Sequence, residues 1–234
     1  MRVRWGLQLL RGFIGVGMLT AFVTAVRTLP LTEAYSIFFV APLLITALSV
    51  PLLGERVDAR RWVAIGVGFA AVLVVLRPSG EGALTFAGLA ALVAALAYAF
   101  SAILVRLAGR TDSTLGMVFW FVASVTIGAG ILAAPGWVPV QRAHAPLLAA
   151  LAVTGAVGQF AITEAFRRAE VSVIAPLEYT AIAWGMALDW VVWSTRPDGR
   201  TLVGASIIVA AGIYLIRRER AVSRQRALAE PNRT

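Results

Sequence analysis

The chain has 234 residues, of which 59% are apolar and 14% charged, and its mean hydropathy is +0.83. A soluble domain of this size could not hide so much apolar surface from water, so the composition excludes an ordinary soluble globular protein. Cysteine is absent and His144 is the single histidine, which argues against disulfides, thiolate chemistry and any multi-histidine metal centre. The net charge of +9 comes from scattered arginines, and we therefore predict no nucleic-acid partner. We also predict no cofactor.

Eight apolar segments follow one another, joined by short connections rich in proline, glycine, arginine and aspartate. A helix needs ~20 apolar residues to cross ~30 Å of hydrocarbon, and the segments are of that order. The sequence therefore predicts an all-α integral membrane protein with eight transmembrane helices in the lipid bilayer. The predicted spans are 7–26, 31–53, 62–76, 83–107, 114–134, 146–166, 171–195 and 201–216.

The first three segments recur as the last three, at a constant offset of 140 residues. The loop pattern Arg-x-Asp-x-Arg at 56–60 returns at 196–200, and Gly15 returns as Gly155. Repeat partners are five segments apart, which is an odd number, so each partner should cross the membrane in the opposite direction. We predict an inverted-topology repeat, an arrangement found in many secondary transporters.

Arginine distribution predicts the orientation of the chain. On the predicted topology, sixteen of the 21 arginines fall at the N-terminus, in the tail and in the connections on one side, and five fall on the other. Cytoplasmic loops carry the excess of basic residues in membrane proteins. Both termini are therefore predicted to be cytoplasmic, in a multi-pass protein of the inner (plasma) membrane.

Ionisable residues inside the spans are candidate site residues, because each costs at least ~2.5 kcal/mol on insertion scales. Glu178 and Asp189 should share one face of the seventh segment, since eleven residues bring a helix back to within about 20°. Glu178 has two interpretations: it holds a cationic group or proton in a cavity, or it is a first-turn carboxylate following Pro176. Asp189 could equally pair with arginines at the outer surface. Arg11 either faces the cavity or snorkels to the cytoplasmic surface.

Polar and aromatic side chains add to these candidates, and each aromatic one either lines the cavity wall or serves interfacial anchoring or packing. Gln159 shares a helical face with Thr163 and Gly155, so it either bonds between helices or contacts substrate. Glu164 is predicted to form a helix-surface ion pair with Arg167 and Arg168, three and four residues later. The predicted substrate-binding residues are Glu178, Tyr179, Gln159, Trp184, Tyr35, Tyr98 and Arg11; no catalytic or metal residues are predicted.

Several motifs resemble EamA-type permeases of the drug/metabolite transporter superfamily. The matching stretches are Arg27-x-Leu29-Pro30-Leu31-x-Glu33-Ala34, Phe39-x-Ala41-Pro42-Leu43, Leu53-Gly54-Glu55-Arg56 and Ala175-Pro176-Leu177-Glu178-Tyr179. The resemblance implies a ten-helix plan of two five-helix halves around a central substrate cavity. On that plan the chain begins at the third helix, and two helices are expected upstream. The second half carries Ser194-Thr195 where the family usually has Gly-Glu.

The resemblance divides the chain into a first repeat of three helices at 1–82, a second of five at 83–217, and a basic cytoplasmic tail at 218–234. It implies a permease that moves a small metabolite by alternating access, and not an enzyme. Two alternatives remain open at this point, an inert truncated fragment of such a permease and a membrane-embedded enzyme. The sequence also leaves open whether the chain forms a homodimer.

Overall fold

The protein is helical throughout the residues described by the structure, a computed structural model covering residues 4–79, 84–194 and 199–229. In these ranges ten α-helices are joined by short connections that include 3-10 turns at Ala134–Gly136, Arg142–His144 and Ala175–Tyr179. The helices are α1 Trp5–Val26, α2 Leu31–Phe38, α3 Ala41–Leu53, α4 Ala59–Leu76, α5 Phe86–Ala108, α6 Thr114–Ala133, α7 Ala145–Arg168, α8 Val171–Ile174, α9 Thr180–Trp193 and α10 Gly199–Ala229.

Two of the predicted spans are interrupted helices. The second span consists of α2 and α3 with a turn at residues 39–40, just before Pro42. The seventh consists of α8 and α9 with the 3-10 turn between them, which contains Pro176. Proline lacks an amide hydrogen and clashes with the preceding turn, so a regular helix is broken at each site. Backbone groups freed in this way are tolerated at membrane depth only inside protein or beside a cavity.

The helix starts repeat at the offset found in the sequence. Three pairs of helices begin at this same spacing: α1 and α7 at Trp5 and Ala145, α2 and α8 at Leu31 and Val171, and α4 and α10 at Ala59 and Gly199. The ends of the two interrupted spans, Leu53 and Trp193, are separated by it as well. The two breaks thus fall in corresponding places in the two halves.

Helix α5 is the most buried helix of the bundle, and it packs against α1, α2, α3 and α7. Its inner face is built largely of alanine, and these residues are nearly inaccessible: Ala91, Ala94, Ala95, Ala99 and Ala102. Small side chains allow helices to approach closely in a membrane, where packing replaces the hydrophobic driving force between helices. The helix is positioned at its start by Thr85, whose hydroxyl accepts from the amide of Gly88 at 3.1 Å.

Polar contacts bring several connections together at one end of the bundle. The amide of Arg4 donates to Asp112, between α5 and α6. Arg61, at the start of α4, forms an ion pair at 2.8 Å with Glu170, which lies in the connection between α7 and α8. At the other end, Glu33 accepts from Ser79. From α1 to the start of α8, these are the contacts expected of spans that alternate in direction.

Seven of the described helical stretches are long and apolar enough to cross a membrane. The eighth predicted span corresponds to the apolar part of α10, Gly199–Tyr214, which is shorter. The count of eight spans thus stays a prediction. Helix α7 is apolar yet lies almost bare, since every residue from 145 to 158 is exposed.

Candidate functional site

Arg11 lies inside the bundle, on the face of α1 that packs against α5 and α6. Its side chain is only 2% exposed. The guanidinium donates to the hydroxyl of Ser101 at 3.2 Å, to the carbonyl oxygen of Met117 at 3.1 Å and to the hydroxyl of Thr163 at 3.5 Å. It also stands 4.3 Å from the ring centroid of Phe121, a cation–π distance. Arg11 therefore faces the interior, and of the two predicted positions the snorkelling one is wrong.

Glycines on α1 allow this approach. A Cβ atom added at Gly12 would stand 2.5 Å from Cβ of Ser124, and one added at Gly15 would stand 2.6 Å from the ring of Phe121. Such distances are too short for any larger residue without movement of α6. The one-residue spacing from Gly12 to Arg11 places the arginine at the edge of this contact, where its long side chain reaches α5 and α7.

Glu178 and Tyr98 form the second polar pair of the interior. The Tyr98 hydroxyl, near the middle of α5, donates to Oε1 of Glu178 at 2.8 Å. Glu178 lies in the 3-10 turn between α8 and α9, so the break after Pro176 turns its carboxylate toward α5. The Tyr98 ring also meets Phe38, the last residue of α2, with centroids 5.7 Å apart. Tyr98 thus contacts both interrupted helices.

A small cavity is lined by both Arg11 and Tyr98. Its volume is about 30 Å³, enough for a single water molecule and no more. Gln159 lines it and donates to Thr163 at 3.3 Å, which confirms the predicted shared face of α7. The other lining residues are Met18, Ser101, Ala102, Val105, Phe121, Ile162, Thr163 and Phe166.

The structure brings Arg11, Tyr98, Gln159 and Glu178 into one polar interior and leaves the remaining candidates apart. Trp184 is 71% exposed and Tyr35 is 42% exposed. Tyr35 packs edge-on against Phe22, at 5.3 Å between centroids, so its ring contributes to helix packing. The side chain of Asp189 lies outside the described residues.

Tyr179 is buried but faces away from this interior. Its ring fills the space over Gly68 of α4, where an added Cβ would come within 2.6 Å of it. Its hydroxyl is buried with no hydrogen-bond partner among the described residues. Tyr179 therefore joins the break of the seventh span to α4 and α10, whose buried residues pack beside it.

Sequence reasoning missed two polar clusters near the ends of helices. Oε1 and Oε2 of Glu55 accept from the amides of Val171 and Ser172, at 2.9 and 3.1 Å, and so cap the start of α8. In the second cluster, the side-chain amide of Gln8 donates to the carboxylate of Asp112 at 2.8 Å. The motif Leu53-Gly54-Glu55 held the signal for the first cluster, since Gly54 ends α3 in a left-handed conformation (φ 70°) and frees Glu55 to cross over.

The predicted ion pair of Glu164 is confirmed. Its carboxylate accepts from Arg167 at 3.0 Å and from Arg168, and it also accepts from the hydroxyl of Thr114 on α6. Arg106 of α5 completes this end of the bundle by donating to the carbonyl oxygen of Arg167 at 2.7 Å. Glu164 is therefore held by its neighbours.

Helices of this length and hydropathy, with interrupted spans and buried ionisable groups, define a multi-pass membrane protein of the transporter type. The model of the EamA-like transporter family matches residues 2–77 and 85–218. The chain belongs to the EamA-like transporter family.

Relatives of this chain include transporters of three different metabolites. The chain is 28% identical to the pseudopaline exporter of Pseudomonas aeruginosa, over 89% of this chain and 74% of that protein. It is 28% identical to a riboflavin transporter of Vibrio cholerae, over 95% and 75% of the two chains. It is 27% identical to an S-adenosylmethionine uptake transporter of Rickettsia felis, over 93% and 74%.

A protein solved by crystallography has the same fold. Its TM-score is 0.74 at 24% sequence identity, over 91% of this chain and 78% of that one. The chain is thus a membrane permease for small molecules and not an enzyme.

Proposed function

We propose that this chain moves a cationic or zwitterionic metabolite across the membrane by alternating access, with the substrate held between Glu178 and Arg11. The single observation that carries this is the position of Tyr98, which lines the cavity together with Arg11 and donates its hydroxyl hydrogen to Glu178. Burying a charge is costly unless it is paired or serves a function. A substrate with an amine would meet the carboxylate, and one that also carries a carboxylate would meet the guanidinium.

The size of the cavity supports the alternating-access part of the proposal. A volume of about 30 Å³ cannot hold a metabolite, since ligand sites are roughly ten times larger. The bundle must therefore open around Arg11 and Tyr98 before a substrate can enter. The interrupted spans offer the place for this movement, because their freed backbone groups and short segments can shift without unwinding a whole helix.

An inverted repeat would make the opening symmetric. The corresponding helix starts and the corresponding breaks support a duplication of 1–82 within 83–217, and alternation of helix direction across an odd number of spans supports the inversion. Two related halves can rock so that the site faces one side and then the other.

We also place the N-terminus and the tail at the cytoplasmic face of the inner membrane. The end of the bundle that gathers Arg4, Arg61, Arg106 and Arg167 is the arginine-rich end, and such ends face the cytoplasm.

Uptake by proteoliposomes tests the function. Vesicles containing the purified chain are mixed with a uniformly ¹³C-labelled metabolite extract, with S-adenosylmethionine and with riboflavin, and their contents are identified by mass spectrometry. We expect a cationic or zwitterionic compound to accumulate, and Glu178→Gln to lower its uptake at least tenfold, because a neutral amide cannot pair with the substrate amine.

The matched control is Glu170→Gln, which removes a carboxylate from the connection just before α8 and should leave uptake within about twofold. Equal reconstitution of the variants is checked by protein content per vesicle. Normal uptake by Glu178→Gln would make Glu178 a helix-start residue, and a wild-type chain that accumulates nothing would contradict the permease.

A further inference from the structure

A groove on the outer surface of the bundle runs between α4 and α10. The two helices touch near one end, where a Cβ atom added at Gly204 would stand 2.4 Å from the side chain of Val75. Toward the other end they diverge and leave a hollow of about 530 Å³. The groove is separate from the Arg11–Glu178 interior, and none of its lining residues belongs to that site.

The walls of the groove are two apolar stripes with helical spacing. On α4 the stripe is Val63, Ala64 and Val67, and on α10 it is Ile207, Ala210 and Ala211. Residues spaced by three and four lie on one face of a helix. The span from 60 to 67 is ~10 Å long at ~1.5 Å per residue, so the groove stays within one leaflet, which is about half of a ~30 Å hydrocarbon core.

The open end of the groove is cationic. Arg60 lies at that end, beside Tyr214, and a second hollow that shares Ala210 and Tyr214 with the groove reaches Arg217. Neither guanidinium is paired with a carboxylate among the residues that the structure describes. The nearby carboxylate of Asp58 accepts from the amide of Arg61 as the cap of α4.

We propose that this groove binds an anionic phospholipid, with an acyl chain between α4 and α10 and the headgroup phosphate on Arg60 and Arg217. An apolar groove one leaflet deep with two arginines at its mouth matches the chemistry of such a lipid, and basic pockets between helices are known to hold anionic headgroups. A second copy of this chain fits less well, because a symmetric interface through this face would bring the same arginines together.

Native mass spectrometry of the detergent-purified chain tests the site. The chain is titrated with dioleoyl phosphatidylglycerol or dioleoyl phosphatidylcholine, which have the same acyl chains and differ in charge. We expect tighter binding of phosphatidylglycerol, and we expect the double variant R60Q/R217Q to weaken it roughly tenfold or more, since each arginine near a membrane surface adds ~1 kcal/mol for an anionic lipid.

Two further variants separate a groove from a general attraction of charge. Ala210→Phe fills the groove and leaves both arginines in place, and it should also lower phosphatidylglycerol binding roughly tenfold. Its control, Ala133→Phe, makes the same change at an exposed position of α6. The control for the arginines is R27Q/R142Q, at the opposite end of the bundle, which should bind normally.

Three results would overturn the proposal: equal binding of the two lipids by the wild-type chain, unchanged phosphatidylglycerol binding by Ala210→Phe, or a dimer that Ala210→Phe disrupts. The last result would assign the groove to a second copy of the chain.

Discussion

At the residue scale, Arg11 is the side chain whose position is fixed by the largest set of polar contacts in the interior. Its guanidinium holds three acceptors on three helices while stacking on Phe121. The sequence identified Arg11 as a candidate, because an arginine well inside an apolar segment is costly. It could not distinguish the interior from the cytoplasmic surface, since the long side chain reaches either. The acceptors are remote in the chain, on α5, α6 and α7, and no local pattern indicates them.

We expect Arg11→Lys to destabilise the chain by about 2 kcal/mol, although the charge is kept. An ammonium group is a point donor and cannot reproduce the planar fork that reaches three acceptors, so at least one buried acceptor would lose its partner. Equilibrium unfolding in mixed micelles measures the difference. Arg142→Lys, at an exposed position of a surface connection, is the control, and equal losses for the two variants would show that Arg11 is not held by this geometry.

Glu55 illustrates a second residue-scale effect, one that joins the halves of the chain. It caps α8, which belongs to the second half, and a carboxylate is favoured at the positive end of a helix. Its counterpart in the second half is Thr195, which lies outside the described residues.

We expect Glu55→Gln to destabilise the chain by roughly 1 kcal/mol, because the amide offers one neutral oxygen where two charged ones accept. Hydrogen exchange of residues 171–174 should increase more than exchange elsewhere in the bundle. Uniform protection in both proteins would contradict the capping role.

At the scale of helices, the sequence predicted existence and order well, and interruptions poorly. Apolar length is a strong signal, so each predicted span finds a helix. The breaks at residues 39–40 and 175–179 are weaker signals, because a proline inside an apolar run is tolerated in membranes. Their corresponding positions, read together with the repeat, would have been the better indication.

The repeat also sets a matched pair of glycines. Gly15 of α1 lies against Phe121 and Val125 of α6, whereas its counterpart Gly155 of α7 has open space around it. We expect Gly15→Leu to cost about 1–3 kcal/mol through overpacking, while Gly155→Leu should change stability by less than about 0.5 kcal/mol. Unfolding of both variants in the same micelles measures this. A comparable loss in Gly155→Leu would mean that α7 is covered by a contact absent from the described residues.

At the scale of the whole molecule, the membrane class follows from the composition of the sequence, and the predicted crossing directions follow from the odd number of segments between repeat partners. The contacts that gather the arginine-rich connections at one end are long-range, and the sequence anticipated them only through arginine counts. The interior site was partly predictable: four of its candidates meet, but the exposure of Trp184 and Tyr35 depends on helix rotation. Several neighbouring helices set that rotation, and the sequence of a short, uniformly apolar segment does not predict it.

We expect both ends of the chain to be cytoplasmic. The arginine-rich end of the bundle is expected to stay on the cytoplasmic side of the membrane. A phosphatase reporter fused after Thr234 should therefore be inactive, and a fluorescent protein at the same position should be bright. Reporters placed after Arg142, in the connection before α7, should give the opposite pattern. Phosphatase activity at Thr234 would contradict the cytoplasmic position of the C-terminus.

Tyr98 touches the end of α2 through Phe38 and the second break through Glu178. If both contacts broke at the same time, the interior would be open to both sides of the membrane, and ions would flow through it down their gradients. One ring cannot follow two helices that move apart. For the proposed alternating access, we therefore expect Tyr98 to keep one of these two contacts whenever the other is broken, so that no continuous ion path opens across the membrane.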